Sequence, residues 1–114
     1  MKESTIELAE KKCEPCEGGI PPLEPELVEL YLTKLTGWSH VRHHHITKEF
    51  KFKNFKQALE FVNKVGALAE EEGHHPDIFL AWGLVRIELW THKIDGLHES
   101  DYILAAKIDY KIAG

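Results

Sequence analysis

Residues Asn54 to Gly73 form the longest periodic stretch of the chain, and the rest of the fold has to be built around them. Asn54 is a favoured N-cap residue, and Gln57 follows three positions later, the spacing of a capping box. Phe55, Leu59, Val62 and Ala69 fall on one stripe, broadened by Ala58, Phe61, Val65 and Leu68. The pattern predicts a helix running to about Glu72 and closed by Gly73 at C′. A helix with one apolar stripe must bury it against another layer.

The flanking segments supply that layer. Phe50 and Phe52 alternate with Glu49, Lys51 and Lys53, the period of a half-buried strand, and Trp38 to Ile46 is strand-like before them. Ile78 to Trp82 and Leu84 to Thr91 read as two further strands hinged at Gly83, with Val85, Ile87 and Leu89 alternating with Arg86 and Glu88. Pro25 suits a first helical turn, and Leu27, Leu30, Tyr31 and Leu35 continue a helix over Pro25 to Leu35, ended by Thr36-Gly37. Gly96-Leu97 leads into a last helix, Glu99 to about Lys111, with Ile103, Leu104 and Ile108 as its apolar face. The α-β-β-α-β-β-α order implies an α+β fold: a four-stranded antiparallel sheet with helices packed on one face. The two strand-strand-helix halves hint at a pseudo-duplication. The fourth strand, Leu84 to Trp90, is apolar enough that pairing across a two-fold axis would protect its edge.

Composition separates residues 1–22 from a single domain over 23–114. Met1 to Lys12 is charged, with a short amphipathic helix possible through Ile6, Leu8 and Ala9; Cys13 to Pro22 holds two glycines and three prolines and reads as an extended arm. Cys13-x-x-Cys16 fits a plain feature of that arm, a disulfide or thiol switch, or a share of a metal site. The 114 residues suffice for one domain. A net charge of -5, from 14 basic and 19 acidic side chains, argues against non-specific nucleic-acid binding. Lys51 and Lys53 between phenylalanines imitate a base-stacking platform, but the acidic total weighs against it. Apolar runs fall far short of the ~20 residues that span a bilayer. Met1-Lys2-Glu3-Ser4 begins no secretory signal, and two cysteines fit a reduced, cytoplasmic protein.

The chemistry concentrates in His74, His75 and His92. Imidazole has an unperturbed pKa of ~6.5 and exchanges protons near neutrality. Pro76 restricts His75 to extended backbone. His92 stands where the fourth strand ends, after Thr91. If that end lies beside the terminus of the long helix, three imidazoles converge on a proton-transfer site. Glu70, Glu71 and Glu72 occupy the negative end of the helix dipole, at a cost of ~0.3–1 kcal/mol each if poorly screened. Glu71 and Glu72 read as solvated. Glu70, four residues before His74, is placed to orient that imidazole or stabilise its cation, or is solvated like its neighbours. His43-His44-His45, near His40, would on a strand put His43 and His45 on one face able to bind a divalent metal weakly. The favoured reading is solvent-facing strand residues and no metal.

The full pattern, Glu70, His74-His75-Pro76, Trp82, His92 and Asp101, resembles the signature of the pterin-4a-carbinolamine dehydratases. Gly37-Trp38, Phe50-Lys51-Phe52-Lys53-Asn54-Phe55, Ala69-Glu70, Thr91-His92, Gly96-Leu97 and Leu104-Ala105 extend the resemblance over Leu23 to about Asp109. The arm, with Cys13 and Pro21-Pro22-Leu23, is similar to the leader of some microbial and plastid members. The resemblance implies an enzyme that converts 4a-hydroxytetrahydropterin to quinonoid dihydropterin and water, in pterin recycling, without a cofactor or metal. It implies that His74 and His92 are the acid-base pair, exchanging roles for the two substrate epimers, and that His75 binds and orients the pterin. Pro76 and Thr91 would shape the pocket, and Trp82 would wall it or pack beneath it. Asp101 would cap the last helix first and orient a histidine second. Many relatives have Ser or Thr at the position of His98, making a capping box with Asp101; here Ser100 is expected to cap instead. The resemblance also implies a homodimer or homotetramer and an aromatic amino acid hydroxylase as pathway partner. The alternative is a non-catalytic interaction or assembly factor, a role some relatives serve, which would not need the histidines.

Overall fold

In the computed structural model, which describes residues 3–14 and 18–113, the long periodic stretch is helix α3, Phe55–Glu72. Asn54 Oδ1 accepts from Gln57 N at 2.9 Å, and Gln57 Oε1 reaches back to Lys53 N at 3.2 Å. At the other end Gly73 adopts φ 66°, with Gly73 N bonded to Glu70 O and His74 N to Ala69 O. This is the Schellman closure, and its left-handed residue is easiest for glycine.

The remaining elements are α1 (Glu3–Ala9), α2 (Pro25–Leu32), β1 (Ser39–Val41), β2 (His45–Lys51), β3 (Asp77–Ala81), β4 (Leu84–Leu89) and α4 (Glu99–Lys107). The sheet is wholly antiparallel in the order β1-β2-β4-β3. Val85, Ile87 and Leu89 are buried and alternate with half-buried Leu84, Arg86 and Glu88, so one face of β4 meets the helices. The expected α+β sheet is present. However, β4 does not offer an edge for a two-fold pairing. It is bonded on both sides, and the sheet edges are β1 and β3.

The first hairpin also differs from expectation. Trp38 to Ile46 is not one strand: Arg42 and His43 turn at φ 52° and 57°, and His44 N bonds Val41 O at 2.9 Å. Two left-handed residues make the mirror-image turn that suits strand twist. Its usual Asn-Gly signal is absent here, so the turn was not legible. His43 therefore shares no strand face with His45.

Helix α4 is the centre of the helical layer, buried from Ser100 to Lys107. Its expected length to Lys111 is met differently, since the chain widens into a π-helical turn over Ile108–Ala113. Asp109 in that turn accepts from Trp38 Nε1 at 2.8 Å and Lys48 Nζ at 2.9 Å. Burial raises its carboxyl above the ordinary value despite both donors.

Composition breaks at residue 22, but packing does not. Leu8 and Ala9 are buried in the core, and Lys107 Nζ donates to Ala9 O at 2.9 Å. Glu14 N donates to Ser100 Oγ, which donates back to Glu14 O, both at 3.1 Å. Leu23 N bonds Leu97 O at 2.9 Å. A Cβ on Gly96 would stand 2.4 Å from Pro22 Cβ, so only glycine lets these segments approach.

Candidate active site

The strand register explains why distant residues meet. Asp77 of β3 lies opposite Glu88 of β4, and Leu89 of β4 opposite Ile46 of β2. The entry to β3, the exit from β4 and the β1–β2 turn therefore share one end of the sheet. The start of α4 joins them, because Thr91 and Gly96 pair across the 3-10 turn His92–Ile94. A cavity of about 370 Å³ opens there, lined by Gly73, His74, His75, Pro76, Asp77, Trp90, Thr91, His92 and Lys93. The three sequence-predicted histidines thus border one space, together with Pro76 and Thr91.

His74 is the most fixed of the three. Its Nε2 lies 2.6 Å from Asp101 Oδ1, with side-chain exposures of 16% and 0%. A carboxylate has no proton to give, so Nε2 donates and the neutral ring keeps its lone pair on Nδ1. Asp101 Oδ2 accepts from Thr91 Oγ1 at 2.8 Å and His98 N at 2.9 Å. Asp101 therefore caps α4 and orients His74 at once. His98 itself is the N-cap, its Nδ1 accepting from Ser100 N at 3.2 Å. This corrects the expectation that Ser100 caps, since Ser100 Oγ is engaged by Glu14.

Glu70 does not reach His74. It pairs with His75 Nε2, with exposures of 78% and 61%. The i,i+4 relation holds only inside a helix, and left-handed Gly73 breaks it before His74. Glu71 is exposed as expected, but Glu72 is not solvated: it accepts from Cys13 N at 3.1 Å and pairs with Lys107 at 3.6 Å. Burial pushes its carboxyl up, yet the Cys13 contact and Lys107 together hold it below the ordinary value. The Cys13 thiol is pushed up to about 12, first by burial and then by Glu72, so it stays protonated at neutral pH and is a poor nucleophile. Cys16 lies outside the described residues.

Trp82 is not at the cavity. It sits in the β3–β4 turn, 67% exposed, at the far end of the five-residue β3 from His75. Trp90 takes the wall instead, ring centroids 3.9 Å from His92, with its Nε1 donating to Asp77 Oδ2 at 3.2 Å. Sequence reasoning missed Trp90, Asp77 and Lys93. A signal existed for Trp90: the alternation that buries Val85, Ile87 and Leu89 points the next residue away from the helices.

His40 and His43 form a cluster away from the cavity. His43 Nε2 lies 2.9 Å from Glu29 Oε2, and donor atoms of Glu29, His40 and His43 lie within 4.8 Å of one another. The His40 and His43 rings stack at 4.0 Å, and His40 Nδ1 accepts from His43 N. Stacked rings direct their in-plane lone pairs side by side rather than toward one point, which is poor geometry for shared coordination.

Comparison with known proteins gives these contacts a context. The family model described as pterin 4 alpha carbinolamine dehydratase matches residues 21–111. A protein of Rubrobacter xylanophilus, provisionally named pterin-4-alpha-carbinolamine dehydratase, is 56% identical over 103 residues, 90% of this chain and 96% of its own. One from Alkaliphilus metalliredigens with the same provisional name is 56% identical over 103 residues, 90% of this chain and 93% of its own. A crystal structure titled transcriptional coactivator/pterin dehydratase, from Brucella melitensis, superposes with a TM-score of 0.75 at 36% identity, covering 82% of this chain and 99% of that one. A pterin dehydratase-like protein titled as a RuBisCO assembly factor in the alpha-carboxysome gives a TM-score of 0.55 at 28% identity, covering 64% and 86%. With a family model over most of its length and relatives more than half identical, this chain belongs to the pterin 4 alpha carbinolamine dehydratase family.

Proposed function

We propose that the protein converts 4a-hydroxytetrahydropterin to quinonoid dihydropterin and water by histidine acid-base catalysis. The observation that carries the reading is that His74, backed by buried Asp101, borders the same cavity as His75 and His92. The reaction breaks the C4a–O bond and forms a C=N bond to the adjacent ring nitrogen. The hydroxyl needs a proton to leave as water, and the ring nitrogen must lose one. His74 Nδ1 is suited to take the nitrogen proton, because Asp101 stabilises the imidazolium that results. His92 delivers a proton to the departing oxygen, and the roles exchange for the opposite epimer. His75 and Pro76 border the bound ring, and a volume of about 370 Å³ accommodates a bicyclic heterocycle.

The setting proposed is pterin recycling in the cytoplasm, beside an aromatic amino acid hydroxylase, with the protein a homodimer or homotetramer. The family resemblance of an assembly factor favours one second reading, a non-catalytic interaction or assembly role on the same fold.

Turnover of a freshly generated 4a-hydroxytetrahydropterin separates the two. His74→Ala and His92→Ala are each expected to lower kcat by ~10²–10⁴-fold, the usual worth of a positioned acid or base. Equal rates for wild type and both variants would leave the assembly role as the better account.

A further inference from the structure

We infer that His44 is a positioning residue for His92, acting through the indole of Trp90; its kinetic consequence rests on the dehydratase reading, its structural consequence on geometry alone. The Trp90 indole touches two imidazoles. His92 lies 3.9 Å away between ring centroids at 39°, and His44 lies 4.5 Å away at 47°. His44 stands outside the cavity lining, so its effect on chemistry must pass through a neighbour.

Both nitrogens of His44 are engaged. Nε2 lies 2.8 Å from Asp95 Oδ1 and Nδ1 lies 3.0 Å from His45 Nδ1. The carboxylate only accepts, so Nε2 carries the hydrogen of that contact, and of the two facing Nδ1 atoms one donates and the other accepts. Burial, the largest influence on His45, lowers its pKa. Asp95 closes the 3-10 turn that His92 opens: Asp95 N bonds His92 O at 3.2 Å, and Asp95 turns at φ 50°. The β1–β2 hairpin thus grips the His92 turn twice, through Asp95 and through the indole. The indole itself is pinned by Asp77.

This matters because His92 is exposed. A free surface imidazole samples several rotamers. A ring braced from behind presents one of them before substrate arrives, and misplacement of a reacting group is costly in rate. His44, which the acid-base chemistry leaves unused, acquires a role as its brace.

The test uses the full chain with His44→Ala, His44→Phe and His44→Asn, reading the His92 ring-proton NMR shifts, kcat, KM and the melting temperature. In His44→Ala the indole ring-current shifts of His92 should move toward ordinary histidine values. Its kcat should fall about tenfold while KM stays within about twofold and the fold melts as before. His44→Phe keeps a ring on the indole and should restore both readouts. His44→Asn keeps a partner for Asp95 without a stacking ring and should behave like His44→Ala. Unchanged shifts and kcat in His44→Ala overturn the inference, as does rescue by Asn and not by Phe. If the wild type turns over no carbinolamine, the dehydratase reading falls, and the ring-current shifts alone still decide whether His44 holds His92.

Discussion

His74 and His75 are neighbours in the chain, and each pairs its Nε2 with a carboxylate. The partners differ in where they stand. Asp101 is fully buried and takes two further hydrogen bonds, from Thr91 and His98. Glu70 projects from the end of α3 into solvent. An exposed contact competes with water and pays side-chain entropy to stay together, whereas the contact to a buried carboxylate is held in one geometry. The contrast shows that a sequence-adjacent carboxylate is no guide to which histidine is controlled. Burial of the partner is.

The contrast can be broken most sharply at Asp101. Asp101→Asn preserves shape but removes the charge and at least one of three acceptor contacts. We expect kcat to fall by ~10²-fold and the urea midpoint to drop, since a buried hydrogen-bonded carboxylate is lost from both α4 and His74. A rate within twofold of wild type would show that His74 works without its buried partner.

Glu72 tests the same principle away from the chemistry. It ends the same helix as Glu70 but is tied to Cys13 and Lys107. Its folded pKa lies below the ordinary 4.5. Its contribution to stability is therefore complete above that value and is lost as pH falls through the lower, folded pKa. Urea titrations from pH 7 to about pH 3 should show wild type losing stability in that window, with Glu72→Gln less stable at neutrality and flatter in acid. Parallel curves would remove Glu72 as an anchor of the N-terminal segment.

The smallest effect belongs to Glu70→Gln. An exposed pair is worth ~0–1 kcal/mol, so stability should change by less than that and kcat by about twofold at most. A loss matching Asp101→Asn would erase the distinction between the two histidines.

Much of the fold was legible locally. Asn54 and Gly73 bound α3 because capping and left-handed geometry depend on a few adjacent residues. The alternation of β4 named its buried face. The turn at Arg42-His43 was hidden because the usual Asn-Gly type of hairpin signal is missing from it. Trp82 and Trp90 could not be ranked as cavity wall without knowing at which end of the β3–β4 hairpin the cavity lies. Leu8 and Ala9 looked peripheral because a short amphipathic segment does not state what it packs against.

The chain's own order of residues determined both ends of α3, the strand alternation and the histidines capable of proton exchange, since each depends on neighbours a few positions away. Tertiary structure alone decided that β4 lies inside the sheet, that Asp101 rather than Glu70 holds His74, and that Trp90 supports His92. Those outcomes depend on which surfaces exclude water from one another, and that is settled only when elements far apart in the chain are packed together.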